Sequence, residues 1–81
     1  MLNVQMSVEE NMTQFTFTNR GVNYSIFPDA NNADQFTVFT NRESLGPRAL
    51  NIKVMTREEM DHGPKVYQEF LAVLEMAELG V

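Results

Sequence analysis

The chain has 81 residues, a formal net charge of −5, a hydrophobic fraction of 43% and no cysteine. A chain of this length forms one domain with a small core, because it buries only about 60–65% of the surface of its unfolded state. The absence of cysteine excludes disulfides and thiolate metal sites, and the net negative charge disfavours direct binding to the phosphate backbone of nucleic acid.

The first residues of the chain show neither a targeting pattern nor a membrane-spanning pattern. Residues 1–6 contain no basic side chain and no continuous apolar run. A signal peptide needs both features, and a membrane-spanning helix needs about 20 apolar residues. The sequence therefore predicts a cytoplasmic protein that does not bind a membrane.

The first two thirds of the chain alternate between apolar and polar residues, which is the pattern of half-buried β-strands. Phe15 and Phe17, for example, alternate with threonines, and aromatic and β-branched residues favour strands. Residues 19–21 are expected to form a three-residue hairpin loop in which Gly21 adopts the left-handed conformation. Strands are predicted at about residues 2–7, 13–18, 22–27, 35–40 and 49–55.

The last third of the chain has the pattern of an amphipathic helix. Thr56 and Glu59 have the spacing of a capping box, which predicts a short helical turn at residues 57–62. Pro64 interrupts this turn, because a proline inside a helix clashes with the carbonyl group four residues earlier, and proline is favoured as the first residue of a new helix. The main helix is therefore predicted at residues 64–79, with the glycine after it as its end.

These elements predict a single α+β domain over residues 1–81, in which an antiparallel β-meander of four to five strands packs against one C-terminal amphipathic helix. Phe27 and Phe39 break the alternation of their strands, so they are expected on the opposite face of the sheet, exposed or covered by a partner. Tyr67 and Leu71 are expected on the flank of the helix. The predicted core consists of Phe15, Phe17, Tyr24, Ile26, Phe36, Val38, Ile52, Val54, Val66, Phe70, Val73 and Leu74.

Three arginines are predicted to lie along one rim of the sheet. In a meander the second and fourth strands finish at the same end, and the fifth strand begins there. Arg20, Arg42 and Arg48 should therefore lie near one another, and the planar donors of arginine suit a carboxylate or a phosphate. The alternative is that these arginines are solvated or paired with Glu43.

The second candidate surface for protein binding is acidic. Residues 56–81 carry six acids against two bases, which permits binding to a basic protein surface through electrostatic complementarity. The alternative is that the acids at the helix start offset the helix dipole and those on the main helix form its solvated face. The candidate residues are Glu58, Glu59, Asp61, Glu69, Glu75 and Glu78.

The residues that most often act in catalysis, metal binding or phosphate binding form no recognisable site in this sequence. His62 has no serine in a nucleophile elbow to activate, and the neighbouring Asp61 points away from it, so we predict no catalytic residue. The polar loop at residues 29–34 lacks the glycine and the glutamate of a calcium-binding loop, and the four glycines are too scattered to bind phosphate. We therefore predict no cofactor and no metal.

The sequence favours a non-enzymatic protein-binding module, an inhibitor or adaptor that acts through a charged surface. Compact, acidic, cysteine-free domains of this size are common among phage and plasmid accessory proteins that block host machinery, anti-CRISPR proteins included, so such a role is one hypothesis. The expected partner is a protein, more basic than acidic, and the chain itself is expected to be a monomer or a homodimer formed through an edge strand or the helix flank. The alternative function is that of a subunit in a homo-oligomer, with a small-ligand or enzymatic site between chains.

Overall fold

The computed structural model describes residues 2–46 and 49–78, and these residues form the α+β architecture that the sequence predicts. Each strand pairs in antiparallel fashion with its neighbour in the chain, so the sheet order is β1-β2-β3-β4-β5. The strands are β1 (Gln5–Glu9), β2 (Met12–Asn19), β3 (Val22–Pro28), β4 (Gln35–Arg42) and β5 (Leu50–Thr56). The helices are α1 (Arg57–Asp61) and α2 (Lys65–Glu78), and a 3₁₀ turn lies at Glu43–Leu45. The helix end predicted at Gly80 lies outside the described residues.

Tight turns hold the neighbouring strands in register. The β2–β3 turn consists of Arg20 and Gly21, with φ angles of 52° and 76°, because Asn19 still pairs with Val22 in the ladder. Two consecutive positive φ angles are typical of two-residue hairpin turns, whose twist matches that of the strands. The loop predicted over residues 19–21 is therefore one residue shorter than expected.

Both helices cover one face of the sheet, which we call the inner face. α1 begins with the predicted capping box: the Thr56 hydroxyl accepts from the Glu59 N–H at 3.0 Å, and the Thr56 N–H donates to the Glu59 carboxylate at 2.9 Å. The chain then turns at Gly63, where an added Cβ would lie 2.8 Å from the carbonyl oxygen of Glu59. Glycine permits this close approach, and α2 then returns along the sheet.

The core lies between the helices and the inner face. Phe70 of α2 is fully buried, and its ring centroid lies 5.5 Å from that of Phe15, 5.9 Å from that of Phe17 and 6.1 Å from that of Phe36. Val4, Tyr24, Val66 and Tyr67 pack partly against this core. The buried residues are Leu2, Phe15, Phe17, Ile26, Phe36, Val38, Met55, Met60, Phe70, Leu71 and Leu74.

The prediction that Ile52 and Val54 belong to the core is wrong. Their side chains are 62% and 53% exposed on the face away from the helices, which we call the outer face, while Met55 is buried at 3%. The cause is the register of the last hairpin, in which Phe36 pairs with Met55 and therefore shares its face. Because side chains alternate, a pairing shifted by one residue turns the whole set of side chains to the other face.

The predicted orientation of the main helix is also partly wrong. Leu71, expected on the helix flank, is 5% exposed, whereas Val73, expected in the core, is half-buried and lies outside the core cluster. The cause is α1, which packs beside α2 and covers Leu71. Leu71 is therefore not available for a dimer contact on the flank of the helix, because its side chain is buried within the domain.

Candidate functional site

Two of the acids predicted as a binding surface have partners within the chain. The backbone N–H and the hydroxyl of Thr56 hydrogen-bond the Glu59 carboxylate and, with a smaller contribution from Lys53, hold the pKa of Glu59 below its ordinary value. The carboxylate of Glu78 lies 3.2 Å from the guanidinium of Arg57, measured from Oε1 to Nη2. Both acids therefore serve to join elements of the fold.

Three other predicted acids border one shallow hollow between α1 and α2. Glu58 and Asp61 of α1 and Glu75 of α2 line this hollow of about 560 Å³, with Asp34 from the β3–β4 loop beside them and Leu71 at its floor. We call these four carboxylates around Leu71 the acidic hollow. Sequence reasoning missed the aspartate of the loop, although the meander topology places that loop at the same end of the sheet as the start of α1.

Arg57 is the cation that lines the acidic hollow, and its charge is already engaged. Its Nε lies 3.7 Å from the Asp34 carboxylate, its Nη2 lies 3.2 Å from Glu78, and its guanidinium carbon lies 5.6 Å from the centroid of the Phe36 ring. These two ion pairs are the only ones within residues 2–46 and 49–78. The other three carboxylates of the hollow therefore keep an uncompensated negative charge, while the sixth predicted acid, Glu69, lies outside the hollow.

Arg20 and Arg42 lie at one end of the sheet, which we call the arginine end. Arg20 lies in the β2–β3 turn and Arg42 ends β4, and the Glu43 N–H, next to Arg42, donates to the carbonyl of Gly21 at 3.0 Å. Both arginine side chains are exposed, and neither forms an ion pair with another described residue. The third predicted arginine, Arg48, lies outside the described residues.

Local hydrogen bonds fix the end of α1 and the β3–β4 loop. The His62 N–H donates to the carbonyl of Glu58 at 3.1 Å and ends α1. Asp29 and Asn32 each accept the backbone N–H two residues later, at 2.7 and 3.0 Å, which fixes the loop in two Asx turns. Within the described part of the chain, no three acidic or histidine side chains are placed to hold a metal, and none of the described helices is long and apolar enough to cross a membrane.

The outer face of the sheet carries an apolar cluster. The rings of Phe27 and Phe39 pack edge to face with centroids 5.4 Å apart, so the prediction that these residues leave the core is confirmed. Next to them β5 presents Leu50, Ile52 and Val54, whose side chains are 51%, 62% and 53% exposed. Sequence reasoning missed this β5 contribution because it assigned the last two of these residues to the core.

A cleft opens at the end of the sheet opposite the arginine end. β2 begins at Met12, but its pairing with β3 begins only at Phe15, so the two strands diverge over the first residues of β2. The cleft has a volume of about 740 Å³, within the range of small-ligand pockets. Its mainly apolar lining includes Phe15, Phe27, Pro28, Phe36, Phe39 and Leu74, with Arg57 and Glu78 among the polar residues.

Comparison with known proteins identifies no relative of this chain. No family model matches it, and neither the search of curated proteins nor that of solved structures finds a significant match.

Proposed function

We propose that the chain is a non-enzymatic protein-binding module, an inhibitor or adaptor, that binds a basic surface of its protein partner through the acidic hollow. The observation that supports the proposal is the uncompensated charge of Glu58, Asp61 and Glu75. Arg57, the cation beside them, is held by two other carboxylates. A partner that inserts lysine or arginine side chains supplies the missing positive charge.

The shape of the acidic hollow suits such side chains. Lysine and arginine carry their charged head at the end of a long stem, so such a side chain can enter the hollow between α1 and α2 and place its head among the carboxylates. Charges at the rim of an interface act mainly by accelerating association with a partner of opposite sign. We therefore expect binding that is fast at low ionic strength and slower in salt.

The charge distribution favours one specific function, in which the chain inhibits a nucleic-acid-binding protein in the cytoplasm. The basic side chains that bind phosphate in such a protein are the ones that the acidic hollow attracts, so the chain would compete with nucleic acid for them. A host-blocking accessory role, as in anti-CRISPR proteins, belongs to the same proposal.

The test compares two charge-reversal variants with the same change in net charge. The partner is captured from a lysate of the source cell on the immobilised chain, purified, and its association rate is measured over a series of salt concentrations. The hollow variant carries Glu58→Lys with Asp61→Lys, and the control carries Glu43→Lys with Glu69→Lys, which are acids outside the hollow. The hollow variant should associate about tenfold more slowly or worse, with a flatter salt dependence.

The control variant should associate at nearly the wild-type rate. Both variants should melt close to wild type, because exposed charges contribute only about 0–1 kcal/mol each. Equal slowing by both variants would mean that net charge alone attracts the partner, and wild-type binding by the hollow variant would exclude the hollow as the interface.

The cleft supports a second candidate function, the binding of a small apolar ligand within one chain. Ala33 lines the cleft, whereas Ala72 is exposed on α2 outside it. If the cleft binds ligands, an apolar fluorescent dye should bind the wild type and Ala72→Trp but not Ala33→Trp, in which the indole fills the cleft. No dye binding to the wild type, or equal binding to all three proteins, would exclude this function.

A further inference from the structure

The outer face of β2 to β5 carries no charged side chain. The chain has eleven acids and six bases, yet the outward positions of these four strands hold only hydroxyl, amide and apolar residues. One row across the sheet runs through Thr16, Ser25, Phe39 and Ile52. Exposed strands commonly carry charges that prevent association between sheets, so an uncharged face leaves association open.

The apolar residues of this face are arranged symmetrically along β5. Leu50 and Val54 lie two residues before and after Ile52, and all three point outward beside Phe39. If a second copy of β5 lies over the first with its direction reversed about Ile52, its Leu50 lies over Val54 of the first copy. Its Ile52 then lies over the Ile52 of the first copy. An apolar strip of this kind can pack against a reversed copy of itself.

The two ends of the sheet carry opposite charge. The arginine end carries Arg20 and Arg42 with one acid, Glu43, beside them, and the β1–β2 turn and the β3–β4 loop lie at the other end. The acids of that end that lie outside the acidic hollow are Glu9, Glu10 and Asp29, and we call them the acidic end. A second copy that lies with its strands reversed places its acidic end beside the arginine end of the first.

We propose that two copies of the chain form a two-fold dimer, with their outer faces packed together and their strands running in opposite directions. The two-fold axis lies in the interface and crosses the strands near Ile52, so Leu50 of one copy faces Val54 of the second copy. Identical residues then contact reciprocally, as a two-fold interface requires. Aligned sheets pack in this way about 10 Å apart.

Charge favours a second copy as the occupant of this face. Two chains of net charge −5 repel each other at long range, and the outward positions of β2 to β5 form a surface on which they can meet without like charges in contact. The reversed orientation also matches both charged ends at once. A partner of different sequence would need the same neutral face and the same pair of charged ends.

The size of the face agrees with a weak dimer that forms at high protein concentration. Five strands about 4.8 Å apart, each about seven residues long, give a face of roughly 24 by 23 Å. Two such faces bury on the order of 1,100 Å² in total, which is just below the standard size of specific protein interfaces and in the range of weak ones. The acidic hollow lies on the helix side of the sheet, so the dimer leaves it open and the inference does not depend on the proposed function.

The first experiment is sedimentation velocity of the chain over a concentration series, with two variants that add the same charge to β5. Ile52→Lys places the charge on the outer face, and Asn51→Lys places it on the neighbouring, exposed residue of the inner side. The wild type should reach about twice the 9.3 kDa of the monomer. Ile52→Lys should raise the dissociation constant of the dimer at least about tenfold, whereas Asn51→Lys should leave it close to wild type.

Circular dichroism establishes that both variants are folded, which is expected because both positions are exposed. A wild type that stays monomeric at every concentration overturns the proposal. Equal loss of the dimer in both variants also overturns it, because that result indicates pairing through the edge of β5 rather than packing of the outer faces.

The second experiment tests the orientation by exchange of charge between the two ends. One variant carries Arg20→Glu with Arg42→Glu, and another carries Glu9→Lys with Glu10→Lys. Each variant alone should dimerise more weakly than the wild type, because like charges then meet at both ends of the interface. A mixture of the two should form a heterodimer of restored strength. Dimers of unchanged strength in both separate variants would overturn the reversed orientation.

Discussion

The ring of Phe70 packs edge to face against the ring of Phe15, with centroids 5.5 Å apart and an angle of 71° between their planes. This contact joins the middle of α2 to β2. The same side chain also touches Phe17 of β2 and Phe36 of β4, so one residue of the helix connects the aromatic side chains of two strands. Tyr67 of α2 adds a further contact with the sheet, since its ring centroid lies 5.9 Å from that of Tyr24 in β3.

Substitution of this residue should remove most of the stability of the domain. Phe70→Ala is expected to cost about 3–5 kcal/mol, because the side chain is fully buried and the structure around the cavity relaxes only in part. Small domains have a total stability of about 5 kcal/mol or somewhat more, so the variant should be largely unfolded. Thermal and urea unfolding measured by circular dichroism provide the test.

Met76→Ala is the matched control, since Met76 lies on the same helix and is 50% exposed. It should change the free energy of unfolding by no more than about 0.5 kcal/mol. A cooperative transition of Phe70→Ala at the wild-type temperature would contradict the packing described above.

The register of β5 makes a second prediction, which concerns two adjacent residues. Met55→Ala should lower the free energy of unfolding by about 2–5 kcal/mol, because the side chain is buried on the inner face. Val54→Thr should change it by less than about 0.5 kcal/mol, because the side chain is exposed and threonine keeps the β-branched shape. Urea unfolding at a concentration at which the chain is monomeric measures both. The opposite order of effects would indicate that β5 is paired one residue out of register.

The capping box makes stability depend on pH through Glu59. Hydrogen bonds from Thr56 hold the pKa of Glu59 in the folded chain below its ordinary value of 4.5. Ionised Glu59 therefore stabilises the folded state above that pH, and the contribution is lost as the pH falls through the lowered pKa of the folded chain. The difference in melting temperature between the wild type and Glu59→Gln should thus be largest near neutral pH and shrink in acid.

The control for this prediction is Glu10→Gln, which removes an exposed acid in the β1–β2 turn. Its difference from the wild type should stay small across the same pH range. A difference between Glu59→Gln and the wild type that grows in acid would show that the carboxylate does not act as the capping group.

Direct binding to nucleic acid should be undetectable at physiological salt. The net charge of −5 opposes approach to phosphate, and Arg20 and Arg42 are only two cations at one end of the sheet. Electrophoretic mobility shifts with duplex and single-stranded DNA provide the measurement. A sequence-specific shift at submicromolar protein would contradict the prediction and would direct attention to the arginine end.

The succession of strands and helices was predictable from the sequence because each element carries its own local signal. The alternation around Phe15 and Phe17, the capping box at Thr56 and the break at Gly63 each depend on a few adjacent residues. The orientation of β5 was not predictable in this way. Apolar residues at every second position identify a strand but do not say which of its faces the helix covers, and only the pairing of Phe36 with Met55 decides this.

The candidate site was predictable only in part for a similar reason. Glu58, Asp61 and Glu75 were identified from the excess of acids, which is a property of composition. Their meeting around Leu71, and the addition of Asp34, depend on the packing of α1 beside α2 and on the loop that reaches them. Composition also does not distinguish these acids from Glu59, which forms the capping box of α1, or from Glu78, which pairs with Arg57.

The succession of strands in the sheet has a consequence for how the chain is made. Because every strand pairs with its immediate neighbour in the chain, the hairpins can close in turn as synthesis proceeds, without waiting for distant segments. The contact of Phe15 with Phe70 is different, since it joins two residues near opposite ends of the chain. During translation the inner face therefore stays uncovered until α2 leaves the ribosome, and this nascent sheet is the stage at which the chain is most prone to aggregate.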